Sequence, residues 1–295
     1  MSYRKEKYRS LLGVDTNLLG EKELQKMSQS ILEDGMHGLC FSPYEEGQEP
    51  GDPISEAQIR RKLEIIAPYT KWIRTFSCTE GNEQIPRLAK EYGLKTLVGA
   101  WLGDDAQVNE DEIEGLITLS KAGFVDVAAV GNEVMYRGDL EEDELISFIN
   151  RVKQAIPEIP VGYVDAYYEF SDRPRITEVC DVILANCYPF WEGYSIAKAT
   201  AYLTQMYDVA KNAAKGKHVI ITETGWPNAG ENFDQAIPSE GNSMQYFVNT
   251  QTWANTNHID LFHFSSFDES WKVNEEGNVG DQWGLWDQNE KLKYQ

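Results

Sequence analysis

A chain of 295 residues with 41 % hydrophobic and 25 % charged side chains is long enough for one large domain, which would bury about three quarters of the unfolded surface on folding. Its 27 basic and 48 acidic residues leave a net charge of −21, which repels nucleic acid and anionic membranes and disfavours a phosphate-rich ligand. No run of eighteen apolar residues is present, so no membrane-spanning helix is expected.

Residues 1–37 carry basic side chains without the apolar core or small-residue cleavage site of a signal peptide. That segment is expected to be strand-poor and to pack under or beside a domain spanning 38–295. The chain is expected in the cytoplasm, or outside the cell if it is a processed form. From Gly38 onward, short apolar runs alternate with longer amphipathic ones. Strands are predicted at Gly38–Pro43, Trp72–Cys78, Thr96–Trp101, Val125–Val130, Val161–Asp165, Val182–Cys187, Val219–Glu223 and Leu261–Phe267. Several are apolar almost throughout, as in a sheet covered on both faces. Helices are predicted at Glu56–Tyr69, Asn82–Tyr92, Glu110–Ala122, Glu141–Ile156, Ser195–Ala214 and Asn242–Thr256. Ile59, Leu63 and Ile66 recur at helical spacing, as do Ile113, Leu116 and Leu119. Ser55 and Asn109 are the expected N-caps, and Gly93 and Gly123 the expected stops. The polar stretch Ala166–Cys180 is expected to supply a shorter crossover than a full helix.

Eight strands alternating with helices in one domain predict an α/β fold, the (β/α)₈ TIM barrel. A dinucleotide-binding sheet is disfavoured because no G-x-G-x-x-G follows the first strand. In a barrel the chemistry gathers at the C-terminal ends of the strands. Two glutamates stand there, Glu133 in Gly131-Asn132-Glu133 and Glu223 in Thr222-Glu223-Thr224-Gly225-Trp226-Pro227. One such Glu reads as a solvated loop residue. Two, each following a long apolar strand, suit the acid/base and nucleophile of a glycosidase.

Other strand ends carry Ser42, Tyr44, Arg74, Phe76, Trp101, Asn132, Asp165, Tyr167, Tyr188, Trp191, Trp226, Asp268, Glu269 and Trp271. Aromatic faces and fixed polar groups are what sugars require, since an unmatched hydroxyl would be left unpaired on burial. Glu133 is the expected general acid/base, because apolar surroundings and a second carboxylate favour a carboxyl that keeps its proton. Glu223 is the expected nucleophile, kept ionised by Arg74 and a hydroxyl from Tyr188. Asn132 is expected to reach the sugar 2-hydroxyl. Substrate-binding residues are expected to be Arg74, Trp101, Asn132, Tyr188, Trp191, Trp226, Glu269, Trp271 and Lys272, the last also as an ionic partner of the Asp268-Glu269 pair.

Metal and serine-hydrolase chemistry find no support. His37, His218, His258 and His263 are scattered without zinc spacing, and no G-x-S-x-G elbow occurs. Cys40, Cys78, Cys180 and Cys187 lie in or beside apolar runs and read as free buried thiols. No cofactor or metal is called for, and a monomer is the default.

The strand ends resemble glycoside hydrolase family 17, the β-1,3-glucanases and related glucan-active enzymes, and the chain is identified as a bacterial-type member. The resemblance rests on Gly38-Leu39-Cys40-Phe41-Ser42-Pro43, Trp72-Ile73-Arg74-Thr75-Phe76, Val130-Gly131-Asn132-Glu133, Asn186-Cys187-Tyr188-Pro189-Phe190, Ile221 to Pro227, Phe267-Asp268-Glu269 and Trp283-Gly284-Leu285-Trp286. It implies a barrel with the acid/base after strand 4 and the nucleophile after strand 7, roles that fall on Glu133 and Glu223. It implies that Tyr188 supports the nucleophile, and that Phe267, Glu269 and Lys272 match the family's Phe-Asn-Glu segment and following Lys. Asp268 replaces the usual Asn, and Phe41-Ser42-Pro43-Tyr44 replaces the Tyr-Gly-x-x-Asn of plant members. The resemblance implies a retaining hydrolase of β-1,3-glucan or its oligosaccharides. A transglycosylase and a non-catalytic carbohydrate-binding barrel are the alternatives.

Overall fold

The computed structural model describes residues 18–294. Helix α1 (Glu21–Asp34) leads into β1 (Met36–Cys40), and α2 (Glu56–Ile66) precedes β2 (Thr70–Thr75). Then follow α3 (Gln84–Glu91), β3 (Lys95–Ala100), α4 (Ala106–Lys121) and β4 (Val127–Asn132). The short α5 (Val134–Arg137) and α6 (Glu142–Ala155) cross to β5 (Val161–Ala166); α7 (Glu169–Asp172) and α8 (Pro174–Val179) cross to β6 (Val182–Asn186). Helix α9 (Ile196–Ala213), β7 (His218–Thr224), α10 (Glu240–Asn257), β8 (Leu261–His263) and α11 (Val273–Glu276) complete the order. Each strand pairs in parallel with the next, and Gly38↔Phe262 with Leu39↔His263 joins β1 to β8, so the sheet closes. The (β/α)₈ barrel expected from the alternation is the observed fold.

The local causes are visible in the side chains. Ser55 accepts a hydrogen bond from the Gln58 N–H and starts α2, whose Ile59, Leu63 and Ile66 are fully buried against the barrel. Burying each such side chain contributes about 1.5–3 kcal/mol relative to leaving it in water. Gly93 and Gly123, with φ of 76° and 82°, take the left-handed positions after α3 and α4. Helix α4 starts earlier than expected. Asp105, not Asn109, caps it, while Asn109 bonds the Gly103 N–H and carbonyl from inside the helix.

Three further differences have physical reasons. Helix α1 was not foreseen. It lacks a capping side chain and buries only a narrow stripe, Leu24, Ser28 and Leu32, and it packs on α10, beside Leu19, whose N–H donates to Gln245. Strand β1 begins at Met36, so the 37/38 boundary falls inside it. Strand β8 ends at His263 rather than Phe267, because Ser265 exchanges hydrogen bonds with Trp283 and Leu285, while Ser266 donates to the Cys40 carbonyl of β1 and accepts from Trp286. His263 is therefore a strand-end residue, yet its ring is buried against Phe247 in the α10 layer.

All four cysteines are free and buried. Among the described residues no helix is long and apolar enough to cross a membrane, and no group of three or more His, Cys, Asp or Glu is placed to hold a metal ion.

Candidate active site

Glu133 follows the last residue of β4 in a left-handed conformation, φ 53° and ψ 28°. Gly131, two residues earlier, also has positive φ, 85°, and a Cβ there would sit 2.8 Å from Val134 Cγ2. Only glycine fits this turn without strain. The turn reverses the backbone so that the Glu133 carboxyl reaches across to β6. There Oε1 accepts a hydrogen bond of 2.8 Å from Asn186 Nδ2, and Asn186 Oδ1 in turn accepts from Thr222 Oγ1 on β7 at 2.8 Å.

Glu223 lies near the end of β7, where Asn186 is its cross-strand partner in the sheet register. Arg74 from β2 donates to Glu223 Oε1 at 2.5 Å through one terminal nitrogen and to Asn132 Oδ1 at 2.6 Å through the other. Tyr188 donates its hydroxyl to Glu223 Oε2 at 2.7 Å. The result is one continuous network. Glu223 connects through Arg74 to Asn132, the residue before Glu133, and Glu133 connects through Asn186 back to the strand pair that holds Glu223. Both carboxylates are nearly buried, at 7 % exposure each. Two donors, one cationic, aim at Glu223, a charge-assisted arrangement. Burial is the largest single influence and works against the Arg74 charge, but Glu223 and Cys40 together hold the guanidinium above its ordinary range.

The β8 side adds a second buried ion pair. Lys272 Nζ lies 2.5 Å from Glu269 Oε2 and 4.0 Å from the centre of the Phe264 ring. Burial disfavours its charge, but Glu269, Glu276 and then Glu223 raise the ammonium above the usual lysine range. Trp271 Nε1 donates to Glu269 at 3.2 Å, and its ring meets Tyr44 edge-on at 6.4 Å. Asp268 turns away from this group. It binds Lys293 Nζ at 2.7 Å and the Gly284 N–H at 2.9 Å, and burial pushes its carboxyl up to about 6. Its role is to hold the loop rather than to face a ligand.

The tryptophans divide into two classes. Trp101 is 40 % exposed just past the end of β3, with its backbone N–H held by Glu112 at 3.0 Å and its ring centre 4.6 Å from the Arg137 guanidinium carbon. It keeps an open face. Trp226, expected as a sugar platform, is only 1 % exposed. Its ring packs against Phe190 and Tyr246 and its Nε1 donates to the Ile237 carbonyl, so it is a wall. Trp191 is 5 % exposed and packs on Phe190, Phe233 and Trp283. Both rings were placed at the cleft because a strand end is close by. The aromatic cluster behind that end has no counterpart in a strand-end count.

The structure thus gathers Glu133, Glu223, Arg74, Asn132 and Tyr188 into one bonded group, with Glu269, Trp271 and Lys272 forming a linked pair of contacts beside Glu223. Asn186 was missed as the partner of Glu133, although it ends β6 within the Asn-Cys-Tyr-Pro run.

The sequence profile of the BtgE/BtgC glycoside hydrolase domain matches residues 38–284. The chain belongs to this family. The match agrees with the family-17 assignment read from the strand ends. This glycoside hydrolase chain is 27 % identical over 264 residues to "Glucan 1,3-beta-glucosidase BGL2" of Candida albicans, covering 79 % of this chain and 83 % of that one. It is 26 % identical over 273 residues to the "Glucan 1,3-beta-glucosidase" of Saccharomyces cerevisiae, covering 81 % and 85 %. Among solved structures, the glycoside hydrolase family 17 β-1,3-glucanosyltransferase of Rhizomucor miehei superposes with a TM-score of 0.78 at 28 % identity, covering 88 % of this chain and 96 % of that one. These relatives are fungal and lend no support to a bacterial-type placement.

Proposed function

We propose that this glycoside hydrolase acts with retention on β-1,3-glucan or its oligosaccharides, with Glu133 as acid/base and Glu223 as nucleophile. The observation that carries the reading is the bonded network joining the two carboxylates through Arg74, Asn132 and Asn186. The glucan substrate is supported by the names of the Candida and Saccharomyces relatives.

In the first step Glu133 gives its proton to the glycosidic oxygen as the bond from that oxygen to the anomeric carbon breaks. Glu223 attacks the same carbon and forms a glycosyl ester. Arg74 and Tyr188, one on each carboxylate oxygen, fix the attacking group. Because Asn132 Oδ1 is occupied by Arg74, its amide N–H₂ is the group left to donate to the sugar 2-hydroxyl. In the second step Glu133, now a carboxylate, takes a proton from water. The water oxygen bonds to the anomeric carbon, and the ester electron pair returns to Glu223.

Transfer is a second reading, in which a sugar hydroxyl replaces water in that step. It is favoured by the exposed ring of Trp101, which follows β3 beside the strand leading to Glu133 and offers an acceptor sugar a surface to stack on. Incubation with laminaritriose, against mixed-linkage and β-1,6-linked controls, tests both readings. Hydrolysis predicts shorter β-1,3 products, and transfer predicts longer ones at high substrate concentration. Intact laminaritriose under all conditions would refute the proposal.

A further inference from the structure

We propose that Tyr163 and Asp165, two β5 residues that no substrate can touch, are the positioning pair that sets the Glu133 carboxyl for proton transfer to the leaving oxygen. The inference deepens the acid/base reading of Glu133 and rests on it. Both residues are fully buried. A glutamate in the left-handed region keeps that conformation only where its surroundings impose it, and β5 is what imposes it. The Tyr163 hydroxyl accepts the Met135 N–H at 2.9 Å and donates to Asp165 Oδ2. Asp165 Oδ2 also accepts the Tyr136 N–H at 3.3 Å, and its Oδ1 accepts the Ala166 N–H at 2.7 Å.

The Tyr163 ring lies so close to Gly131 that a Cβ there would sit 3.4 Å from Tyr163 Cε2. Between the pair, the Val164 carbonyl accepts the Glu133 N–H at 2.8 Å. Three successive residues of β5 therefore hold the backbone before, at and after Glu133. Asn186 holds only the carboxyl tip. Phe170 supports the Tyr163 ring edge-on at 6.3 Å, so the pair is itself held in place. Burial, with the Glu133 charge adding to it, pushes the Asp165 carboxyl well above its usual range, which agrees with a site dry enough for these bonds to be strong.

A pair that positions a general acid has a signature that a structural pair lacks. A sugar leaves as an alkoxide and needs the proton; a dinitrophenyl group leaves without it. The ratio of kcat/KM on laminaritriose to kcat/KM on dinitrophenyl β-laminaribioside therefore reads acid assistance alone. Any loss of folded enzyme lowers both values equally.

Glu133→Ala is expected to lower the ratio by ~100-fold or more, the usual worth of a general acid. Tyr163→Phe and Asp165→Asn are expected to lower it by about ten-fold, the effect of a misplaced but present acid. Either variant suffices if the other fails to fold. A wild-type ratio in the folded Tyr163→Phe or Asp165→Asn enzyme, whatever its absolute activity, would overturn the positioning role. A wild-type ratio in Glu133→Ala would instead overturn the acid/base assignment, and the inference with it.

Discussion

Replacing Arg74 with lysine keeps the charge and removes the fork. The guanidinium uses separate nitrogens for Glu223 and Asn132 and lies over the Phe76 ring at 4.3 Å. An ammonium at the end of a flexible stem can serve one of those acceptors at a time. The variant therefore loses one hydrogen bond within a charged, buried group, worth about 1.5–3 kcal/mol. With a tenfold change in rate for each 1.36 kcal/mol, kcat/KM should fall roughly ten- to hundred-fold.

The loss should be equal on laminaritriose and on the dinitrophenyl glycoside, because Glu223 must attack whichever group leaves. Steady-state kinetics on both substrates, beside a thermal melt to establish folding, makes the measurement. Activity within about two-fold of wild type on both substrates would mean that the fork does not position the nucleophile, since no lost bond of that size would have registered.

Trp226→Ala should act on stability rather than on substrate binding. Removing a buried aromatic ring costs about 3–5 kcal/mol, which lowers Tm by on the order of 10 °C in a chain of this size. A melt within about 2 °C of wild type would contradict its assignment as a wall. At the opposite end of the barrel, Asp260 lies 2.8 Å from His218 Nε2 and 3.1 Å from His37 Nδ1. The hydrogen bond that His218 donates to Asp260 raises His218 above 6.5, whereas burial lowers His37. A raised histidine contributes its stability in full below pH 6.5 and loses it as the pH climbs through the folded value. The same bond lowers Asp260 below 3.8, so its contribution is lost in acid. The stability difference between wild type and His218→Gln should therefore be largest between about pH 4 and 6.5 and vanish in base; for so exposed a pair it should be ~1 kcal/mol or less. Melts across that range that run parallel would refute the coupling.

Strand periodicity made the barrel legible because buried parallel strands are apolar on both faces, and all eight runs lie within a few residues of the observed strands. Glu133, Glu223, Arg74 and Tyr188 were legible because each ends or closely follows such a run. What stayed hidden was carried by partners rather than by position. Asp165 and Asn186 stand at strand ends too, but only coordinates reveal that one grips the Glu133 turn and the other its carboxyl. Trp226 failed for the converse reason: its place in the sequence is that of a platform, and its ring faces Phe190. The extra length predicted for β8 came from Phe264–Phe267, which divides its backbone hydrogen bonds between the barrel and residues 283–286 and so does not continue the ladder.

The most direct test follows the anomeric form of the newly created reducing end, that of the sugar freed from the non-reducing side of the cleaved laminaritriose bond, observed by proton NMR before mutarotation. Carboxyl groups placed for direct attack, about 5–5.5 Å apart, deliver the β-anomer. An α-anomer would mean that water attacks across a gap of roughly 6.5–9.5 Å, and Glu223 would then be no nucleophile.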